Sequence, residues 1–379
     1  MHDSITIPGS RVAVAFGAGA LDDLGPAARP LGCGRVLLVT DPGIARAGHA
    51  QRALDSLDRA GIAARIFDGA AENPTTRHVQ EGLTVAQDYA PDWIVGLGGG
   101  SAMDCAKGIN FLYTNGGRMQ DYWGIGKATR PMLGLIAVPT TAGTGSEAQS
   151  FALIVDPTTH QKMACGDPKA LPRLAILDPQ LTATAPARVT VAAGIDAIAH
   201  AVETAASTRR SDASRRLSRR AWDLLSRSFE IVVGQASAQN AGPALDAARA
   251  DMLLGAHLAG AAIENSMLGA AHALANPLTA RYGTPHGLAV GLMLPHVVRF
   301  NCAGAENPYG DLGLAGEDLA GMLERFLRRS EAPTRLSSLG VSEGDLPALS
   351  QVAARQWTAQ FNPRPVDQAA LLGLYREAL

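Results

Sequence analysis

The amino-acid sequence predicts an α/β domain built on a parallel sheet over residues 1–187, followed by an all-α domain over residues 188–379. The chain of 379 residues is longer than one ordinary domain. In its first half, short β-branched runs alternate with amphipathic stretches, which is typical of a parallel sheet with helices on both faces. From about Thr190, Ala-rich segments with apolar residues three and four apart replace the strand-like runs.

Strands and helices alternate in order through the first half. The run RVLLVTD at residues 35–41 predicts a buried strand, and residues 50–61 predict a helix that ends at Gly61. The alternation continues with a strand at 63–69, a helix at 78–89, a strand leading into a loop at 92–100 and a strand at 132–141. Because parallel strands need long crossover connections, these units predict one parallel sheet.

The second half is predicted to be helical. Its periodic segments are residues 190–207, 211–235, 244–275 and 317–330. The Pro/Thr-rich stretch at 182–190 predicts the boundary between the two domains. The arginines between Arg209 and Arg220 fall at helical spacing, which favours a solvated helix face or a subunit contact over nucleic-acid binding.

Composition and charge exclude several classes of partner. The formal net charge is −2, from 33 basic and 35 acidic side chains, so bulk electrostatics predict binding to neither nucleic acid nor an anionic membrane. Four cysteines without CxxC spacing predict neither a disulfide framework nor a thiolate zinc site. The first residues lack the pattern of a signal peptide, and no apolar run is interpreted as a membrane span. We therefore expect a cytoplasmic protein.

A glycine cluster follows the strand predicted at 92–100. Gly96–x–Gly98–x–x–Ser101 approaches the dinucleotide-binding fingerprint, with serine in place of its third glycine. Such a turn lets backbone N–H groups and a helix N-terminus approach a pyrophosphate, because no Cβ blocks the way. The alternative is a plain turn without a ligand.

Two further features favour dinucleotide binding. Asp41 ends the first parallel strand, where a carboxylate can accept hydrogen bonds from an adenosine ribose, although a turn or helix N-cap is the alternative role. The run VPTTAGTGSE at 138–147 follows another strand, and its hydroxyl groups can donate to phosphate or nicotinamide groups. We interpret the first domain as a Rossmann-like, dinucleotide-binding domain.

Candidate metal ligands are found in the helical half. Asp196 and His200 are four residues apart, which places both side chains on one face of a helix. His272 lies in an Ala-rich helical segment, and His286 follows a proline in a Gly-flanked segment that we predict as a loop. One carboxylate and three imidazoles suit Fe(II) or Zn(II). An exposed acid and buried structural histidines are the alternative, and we expect such ordinary roles for His160, His257 and His296.

Four motifs, in this order along the chain, carry a resemblance to iron-containing alcohol dehydrogenases: GGGSAMDCAK, PTTAGTGSE, GIDAIAHAVE and GAAHALANPL with its following TPHG. Shorter echoes are ENP at 72–74, ILDPQLT at 176–182 and FNPR at 361–364. The resemblance covers about residues 10–365. It implies a dehydroquinate synthase-like architecture, a metal in the cleft between the two domains, and a homodimer.

The resemblance also implies which residues form the site and what the protein does. Asp196, His200, His272 and His286 would be the metal ligands, with Fe(II) expected and Zn(II) the alternative. The implied cofactor contacts are Asp41, Asn73, Gly98, Gly99, Gly100, Ser101, Asp104, Thr140, Thr141, Thr144, Lys162 and Leu181. NAD is expected over NADP, because Asp41 would repel a 2′-phosphate. The implied activity is reversible, NAD(P)-linked oxidation of a small alcohol to an aldehyde or ketone.

One position departs from the family pattern. Many members of this family carry a histidine four residues after the third ligand, and this chain has Asn276 there. Because an amide does not shuttle protons as imidazole does, Asn276 is expected to orient a substrate oxygen. Two other functions stay open: a dehydroquinate synthase-like lyase and cyclase that uses NAD transiently, and a catalytically silent nucleotide-binding protein. The lyase would need several cationic side chains in the cleft segments, which offer only Arg281.

Overall fold

The computed structural model describes residue 2 and residues 4–159, 161–235, 242–304 and 306–379; His160 lies outside these ranges. The chain forms two compact units. The first comprises Met1–Thr141 and Gly145–Ala185, and the second comprises Ala142–Thr144 and Pro186–Leu379. The short segment Ala142–Thr144 therefore groups with the helical unit, although it follows a strand of the first.

All strands found among the described residues belong to the first unit, and they form two sheets. In chain order they are β1 Ile5–Thr6, β2 Ala13–Phe16, β3 Arg35–Val39, β4 Ala63–Phe67, β5 Trp93–Gly98, β6 Gly124–Ile125, β7 Gly134–Pro139, β8 Phe151–Val155, β9 Lys162–Gly166 and β10 Leu174–Leu177. The larger sheet has seven strands in the order β1-β2-β10-β7-β5-β3-β4, and only its edge strand β1 is antiparallel.

The central strands are buried on both faces. Side chains alternate along a strand, so Leu37 and Val39 of β3 join one hydrophobic cluster while Val36 and Leu38 join another on the opposite face. A sheet covered on both faces needs near-continuous apolar strands, which the run RVLLV provides. The prediction of a parallel α/β sheet is confirmed, and the four predicted strands correspond to β3, β4, β5 and β7.

Other strands were not predicted. Strands β2 and β10 pair in parallel with each other and extend the large sheet. Strands β8 and β9 form an antiparallel pair, to which β6 adds to make a three-stranded sheet. These strands have only two to five residues, and their pairing partners lie far away in the chain or across a short turn. Such short apolar runs carry little periodic signal.

Thirteen α-helices are present among the described residues. Those of the first unit are α1 Leu24–Ala28, α2 Pro42–Arg46, α3 His49–Arg59, α4 Thr76–Tyr89 and α5 Gly100–Asn115. Those of the second unit are α6 Ala187–Ala206, α7 Asp212–Gly234, α8 Pro243–Glu264, α9 Ala270–Tyr282, α10 His286–Cys302, α11 Gly316–Arg329, α12 Leu346–Ala353 and α13 Gln368–Ala378. The expectation of an all-α second half is confirmed. Arg209 and Arg210 precede α7, and the other arginines of this stretch lie on it, where Arg215 pairs with Asp311 and Arg219 pairs with Asp223.

One predicted helical segment is interrupted. The segment predicted at 244–275 forms two helices, α8 and α9, because the chain leaves helical geometry between Asn265 and Gly269. Gly269 suits the second boundary, since a Cβ there would make tight contacts, 3.1 Å from Oδ1 of Asn362 and 3.1 Å from Oε1 of Glu203. The break lets both of these side chains reach the start of α9.

Helix α6 differs from the expectation that no segment is apolar enough to span a membrane. Among the described residues, it is the one helix that is long and apolar enough to cross a membrane. Of its 18-residue apolar stretch, 72% is buried inside the protein. Core helices meet the same criteria. The buried side chains of α6 include three ionisable residues, Asp196, His200 and Glu203.

Candidate metal and cofactor sites

Helix α6 carries a stripe of ionisable side chains. Asp196, His200 and Glu203 are separated by four and three residues, so they lie on one face of the helix, and each is at most 5% exposed. Buried ionisable groups at this density are costly unless they pair with one another or with a metal. Their partners come from α9 and α10.

Three of the predicted ligands converge. Oδ1 of Asp196 lies 3.5 Å from Nε2 of His200 and 3.5 Å from Nε2 of His272. The candidate ligand atoms of these three buried residues all lie within 4.8 Å of one another. Two atoms that bind one ion in tetrahedral geometry at about 2.0–2.1 Å lie about 3.3–3.4 Å apart. The spacing therefore fits a divalent cation bound among them.

Within the described ranges, two of these atoms have no hydrogen-bond partner. Oδ1 of Asp196 and Nε2 of His272 are buried, and neither forms a hydrogen bond within the described part of the chain. Buried polar atoms are nearly always hydrogen-bonded or bound to an ion. A carboxylate oxygen and imidazole nitrogens are ligands that iron and zinc both accept, so the donor set fits either metal.

His286 adjoins the cluster but lies farther out. Its ring centroid is 5.3 Å from that of His272, and the side chain is only partly buried. The sequence predicts a loop here, but His286 is the first residue of α10, after Pro285 at the N-cap. Gly287 permits this placement, because a Cβ there would lie 2.0 Å from the carbonyl oxygen of Ala192 on α6.

Glu203 is part of the site, and the sequence analysis did not assign it a role. Nδ1 of His272 and Oε2 of Glu203 are 2.5 Å apart. Because an ionised carboxylate only accepts hydrogen bonds, Nδ1 is the donor, and Nε2 is left facing Asp196. The available sequence signal was the spacing of Glu203 from His200 on the same face of α6.

Burial and neighbouring charges shift the pKa values of the residues in this cluster. Burial alone would raise the pKa of Asp196, but the neighbouring His200, His272 and His286 lower it below its usual range. Burial lowers the pKa of His200. Burial would also lower the pKa of His272, but the carboxylates of Glu203 and Asp196 outweigh it and raise the pKa to about 9. The carboxylates of Asp196 and Glu203 thus lie beside histidine rings in a buried environment.

The other histidines of the helical unit have ordinary positions. His257 is fully buried on α8. His296 is partly buried on α10, with Nδ1 4.0 Å from Oε2 of Glu377, and burial lowers the pKa of its ring. Neither residue belongs to the three-residue group of candidate ligands found in the described ranges.

Asn276 lies one helical turn after His272 on α9. Its Nδ2 donates to Oε1 of Gln356 at 3.0 Å, and the side chain is partly exposed. The same helix contains Pro277, which has no N–H to donate to the carbonyl of Ala273. The amide is thus held on one side by Gln356, with its carbonyl oxygen as an acceptor.

In the first unit, the glycine cluster forms a strand-to-helix turn. Strand β5 ends at Gly98, Gly99 is the N-cap, and α5 begins at Gly100. Gly98 has φ +149°, and a Cβ there would lie 2.7 Å from that of Ala102. This backbone brings the N-terminus of a sixteen-residue helix to the carboxyl end of the sheet. Helix N-termini at that edge bind phosphate groups in α/β proteins.

Three predicted cofactor residues are joined by hydrogen bonds. The backbone N–H of Asn73 donates to Oγ of Ser101 at 3.3 Å, and Nζ of Lys162 donates to Oδ1 of Asn73 at 3.1 Å. Asn73 adopts a left-handed backbone with φ 51°. The structure thus gathers Asn73, Ser101 and Lys162 beside the N-terminus of α5.

Asp41 follows β3 and caps α2. Its Oδ1 accepts from the backbone N–H groups of Gly43 at 2.8 Å and Ile44 at 3.0 Å. Its other oxygen, Oδ2, would be 3.4 Å from a Cβ placed on Gly98. Asp41 therefore caps α2 through Oδ1, while its Oδ2 lies beside the glycine turn.

Asp104, which was predicted to contact the cofactor, is buried and forms hydrogen bonds within the first unit. It is 7% exposed, its Oδ1 accepts from Oγ of Ser146 at 2.7 Å, and its Oδ2 accepts from the N–H of Leu153 at 3.2 Å. Burial raises the pKa of this carboxyl, and the nearby Lys107 acts against that shift. In this structure, Asp104 ties α5 to β8 and to the segment after β7.

The remaining predicted contacts differ in accessibility. Thr140 and Thr141 follow β7, beside the glycine turn: the N–H of Thr140 donates to the carbonyl of Gly98 at 3.0 Å, and Oγ1 of Thr141 would be 3.5 Å from a Cβ on Gly99. Thr144 belongs to the segment that groups with the helical unit. Leu181 is fully buried in the hydrophobic core of the first unit, so its side chain presents no surface to a bound molecule.

Comparisons with known proteins agree on one family. The sequence model described as iron-containing alcohol dehydrogenase matches residues 12–179, and the model of the C-terminal region of the same family matches residues 190–379. A 1,3-propanediol dehydrogenase from Klebsiella pneumoniae is 34% identical over 378 residues, which cover 96% of this chain and 96% of that protein.

Solved structures extend the similarity to the fold. A 1,3-propanediol oxidoreductase has a TM-score of 0.91 and 33% identity, with complete coverage of both chains. A sulfoacetaldehyde reductase from Bifidobacterium kashiwanohense, solved in complex with NAD+, has a TM-score of 0.88 and 25% identity, and covers 100% of this chain and 98% of its own. These comparisons give no support to the lyase alternative.

Proposed function

The chain belongs to the iron-containing alcohol dehydrogenase family, and from this premise we propose that it oxidises small alcohols with Fe(II) held by Asp196, His200, His272 and His286, and with NAD as cofactor. That it is an oxidoreductase acting on CH–OH groups follows from its relatives. The metal, the cofactor and the individual site residues are proposals.

The observation that carries the metal proposal is the convergence of three buried ligand atoms. Asp196 supplies a negative charge, and the two 3.5 Å separations match those of atoms that share one ion. His286 adjoins His272 and would complete the set. Fe(II) is favoured over Zn(II) by the family, since the ligand types accept both metals.

When bound, the metal supplies Lewis-acid polarisation of the substrate oxygen, and the nicotinamide exchanges a hydride with the substrate carbon. The chain's own residues hold these groups. Buried Asp196 offsets cationic charge in a setting of low dielectric, where electrostatic interactions are strong. Asn276 has no ionisable proton, so its role is to orient a substrate oxygen through its amide.

NAD is proposed over NADP on two grounds. Oδ2 of Asp41 lies beside the glycine turn, where a carboxylate accepts from ribose hydroxyls and repels a 2′-phosphate. The sulfoacetaldehyde reductase of similar fold binds NAD+. The pyrophosphate would lie at the N-terminus of α5, and Asn73, Ser101 and Lys162 would line the same edge.

A cytoplasmic homodimer is also proposed. The four cysteines are all free, and three of them are buried, as is usual in a reducing compartment. Size-exclusion chromatography with light scattering measures the oligomeric state, and a monomer at micromolar concentration would refute the dimer. Fractionation of cells tests the compartment.

A single activity screen tests the catalytic proposal. Metal-free protein is loaded with Fe(II), with Zn(II) or with chelator alone, and each sample is assayed with NAD and with NADP across small alcohols and aldehydes. We expect turnover only in the metal-loaded samples, highest with Fe(II) and NAD. Equal turnover in the chelator sample would contradict the metal site.

A further inference from the structure

We propose that Glu203 is a positioning residue for the metal: its carboxylate holds the His272 ring in the tautomer whose Nε2 faces Asp196 and His200. The inference rests on the proposed metal site. It concerns an acid that is not itself a member of the ligand group in the described ranges. Helix α6 would then carry two proposed ligands, Asp196 and His200, and also the residue that orients a third, His272.

The carboxylate contacts the ring directly. Oε2 of Glu203 lies 2.5 Å from Nδ1 of His272, and both residues are at most 4% exposed. A neutral imidazole has one N–H, so fixing it at Nδ1 leaves a lone pair on Nε2. That nitrogen lies 3.5 Å from Oδ1 of Asp196, the geometry expected of two ligands of one ion.

The other oxygen of Glu203 fixes the backbone that carries the ring. Oε1 accepts from the N–H of Ala271 at 2.7 Å, in the first turn of α9. A negative charge at a helix N-terminus is favourable, because the N–H groups of the first turn have no partner within the helix. One carboxylate therefore sets both the position of α9 and the orientation of its ligand.

Asn362 holds the same helix end without touching the imidazole. Its Oδ1 accepts from the N–H of Ala270 at 3.3 Å, and its Nδ2 donates to Oδ1 of Asn301 at 2.7 Å. Glu203 and Asn362 both approach Gly269, where a Cβ would lie 3.1 Å from an oxygen of each. Asn362 thus offers a control that separates support of the backbone from control of the ring.

The substitution Glu203→Gln separates support of the α9 backbone from orientation of the His272 ring. Its amide oxygen can still accept from Ala271, but its NH2 group would face Nδ1 of His272. An NH2 group donates, so Nδ1 would have to accept, and the ring proton would move to Nε2. Glu203→Gln therefore keeps the shape of the site and turns the metal-binding nitrogen into a donor.

The experiment measures metal affinity in the full-length protein. Apparent Kd values for Zn(II) and Co(II) are obtained by competition with a chromophoric chelator for wild type, Glu203→Gln and Asn362→Ala. We expect Glu203→Gln to weaken binding about 10–100-fold, as is typical when the partner of a ligating histidine is lost. Asn362→Ala is expected to lower thermal stability and to change the Kd less than threefold. Equal affinity of wild type and Glu203→Gln overturns the proposal.

A second measurement keeps the test decisive if Glu203→Gln fails to fold. Nitrogen-15 NMR of histidine-labelled, zinc-loaded wild type identifies the protonated nitrogen of His272, which we expect to be Nδ1. Protonation at Nε2 overturns the positioning role. The proposed metal site has its own readout, because His200→Ala and His272→Ala should each abolish tight binding. Unchanged binding in both variants would refute that site rather than the role of Glu203.

Discussion

Nζ of Lys107 lies 4.0 Å from Oδ1 of Asp104, one turn away on α5, and the lysine is fully buried. Oγ of Ser146 joins them, accepting from Lys107 at 2.8 Å and donating to Asp104 at 2.7 Å. Lys107 also donates to the carbonyls of Ser146 and Phe151. A charged pair thus secures α5, whose N-terminus is the proposed phosphate-binding element.

Removal of this lysine is expected to destabilise the first unit strongly. Lys107→Met removes the buried cation that pairs with Asp104, and loss of one partner of a buried pair costs about 3–5 kcal/mol in the free energy of unfolding. Urea denaturation followed by circular dichroism measures the change. Lys162→Met is the control, because Lys162 is exposed, and we expect an effect within about 0.5 kcal/mol. Equal effects of the two substitutions would contradict the role assigned to Lys107.

Removal of the imidazole at 272 is expected to release the metal. His272→Ala takes one of three converging ligand atoms away, so metal retention after dialysis and turnover should both be lost. NAD binding, measured by fluorescence titration, should change less than threefold, because the proposed NAD contacts lie on other residues. His296→Ala on α10 is the control and should retain the metal. Full activity of metal-free His272→Ala would refute the ligand assignment.

The substitution Asn276→His is expected to change the pH dependence of turnover. Asn276 is one helical turn from His272 and has no titratable proton. Asn276→His adds a group with an ordinary pKa of about 6.5, and a neutral imidazole accepts the proton that alcohol oxidation releases. The kcat for oxidation should therefore gain an inflection in the neutral range, rising with pH. Superimposable profiles for the variant and wild type would contradict a position near the substrate.

A side chain in the glycine turn after β5 is expected to weaken binding of the dinucleotide. Gly98→Ala would place a Cβ 2.7 Å from that of Ala102, at a φ of +149° that side chains rarely adopt. We expect the Kd for NAD to rise at least tenfold, as measured by isothermal titration calorimetry. Gly116→Ala is the matched control, since its φ is also positive, at +74°, but open space surrounds the added Cβ. It should lose stability and keep its affinity for NAD.

The carboxylate of Asp41 is expected to select between the two cofactors. Asp41→Asn keeps a side chain that caps α2 through the N–H groups of Gly43 and Ile44, but removes the negative charge. The ratio of kcat/KM for NADP to that for NAD should rise at least tenfold. Asp41→Ala, which loses the cap as well, separates cofactor choice from helix stability. An unchanged ratio in Asp41→Asn would place the 2′-hydroxyl elsewhere.

The sequence was informative wherever the signal was local. Apolar runs such as RVLLV predicted the buried central strands, and the four-residue spacing of Asp196 and His200 predicted a shared helix face. The resemblance to a family implied that His272 binds the same metal as these two residues. The break between α8 and α9 was missed, because the side chains that approach Gly269, those of Glu203 and Asn362, lie far away in the chain.

Side-chain roles that depend on distant partners could not be predicted in the same way. Glu203 lies within a recognised motif, but its significance comes from a residue 69 positions later. Leu181 was expected beside the cofactor, and its side chain is enclosed in the core instead. Asn73 and Lys162 are 89 residues apart, and their hydrogen bond is visible only in the folded chain.

The 69-residue separation of Glu203 and His272 has a consequence for biosynthesis. At about 5–20 residues per second, the ribosome adds His272 roughly 3–14 s after Glu203. During that interval the nascent chain carries two acids on its most apolar long helix, with no imidazole from α9 to receive them. Capture of the ion by the complete proposed ligand set therefore has to wait until translation has passed His286, at the start of α10.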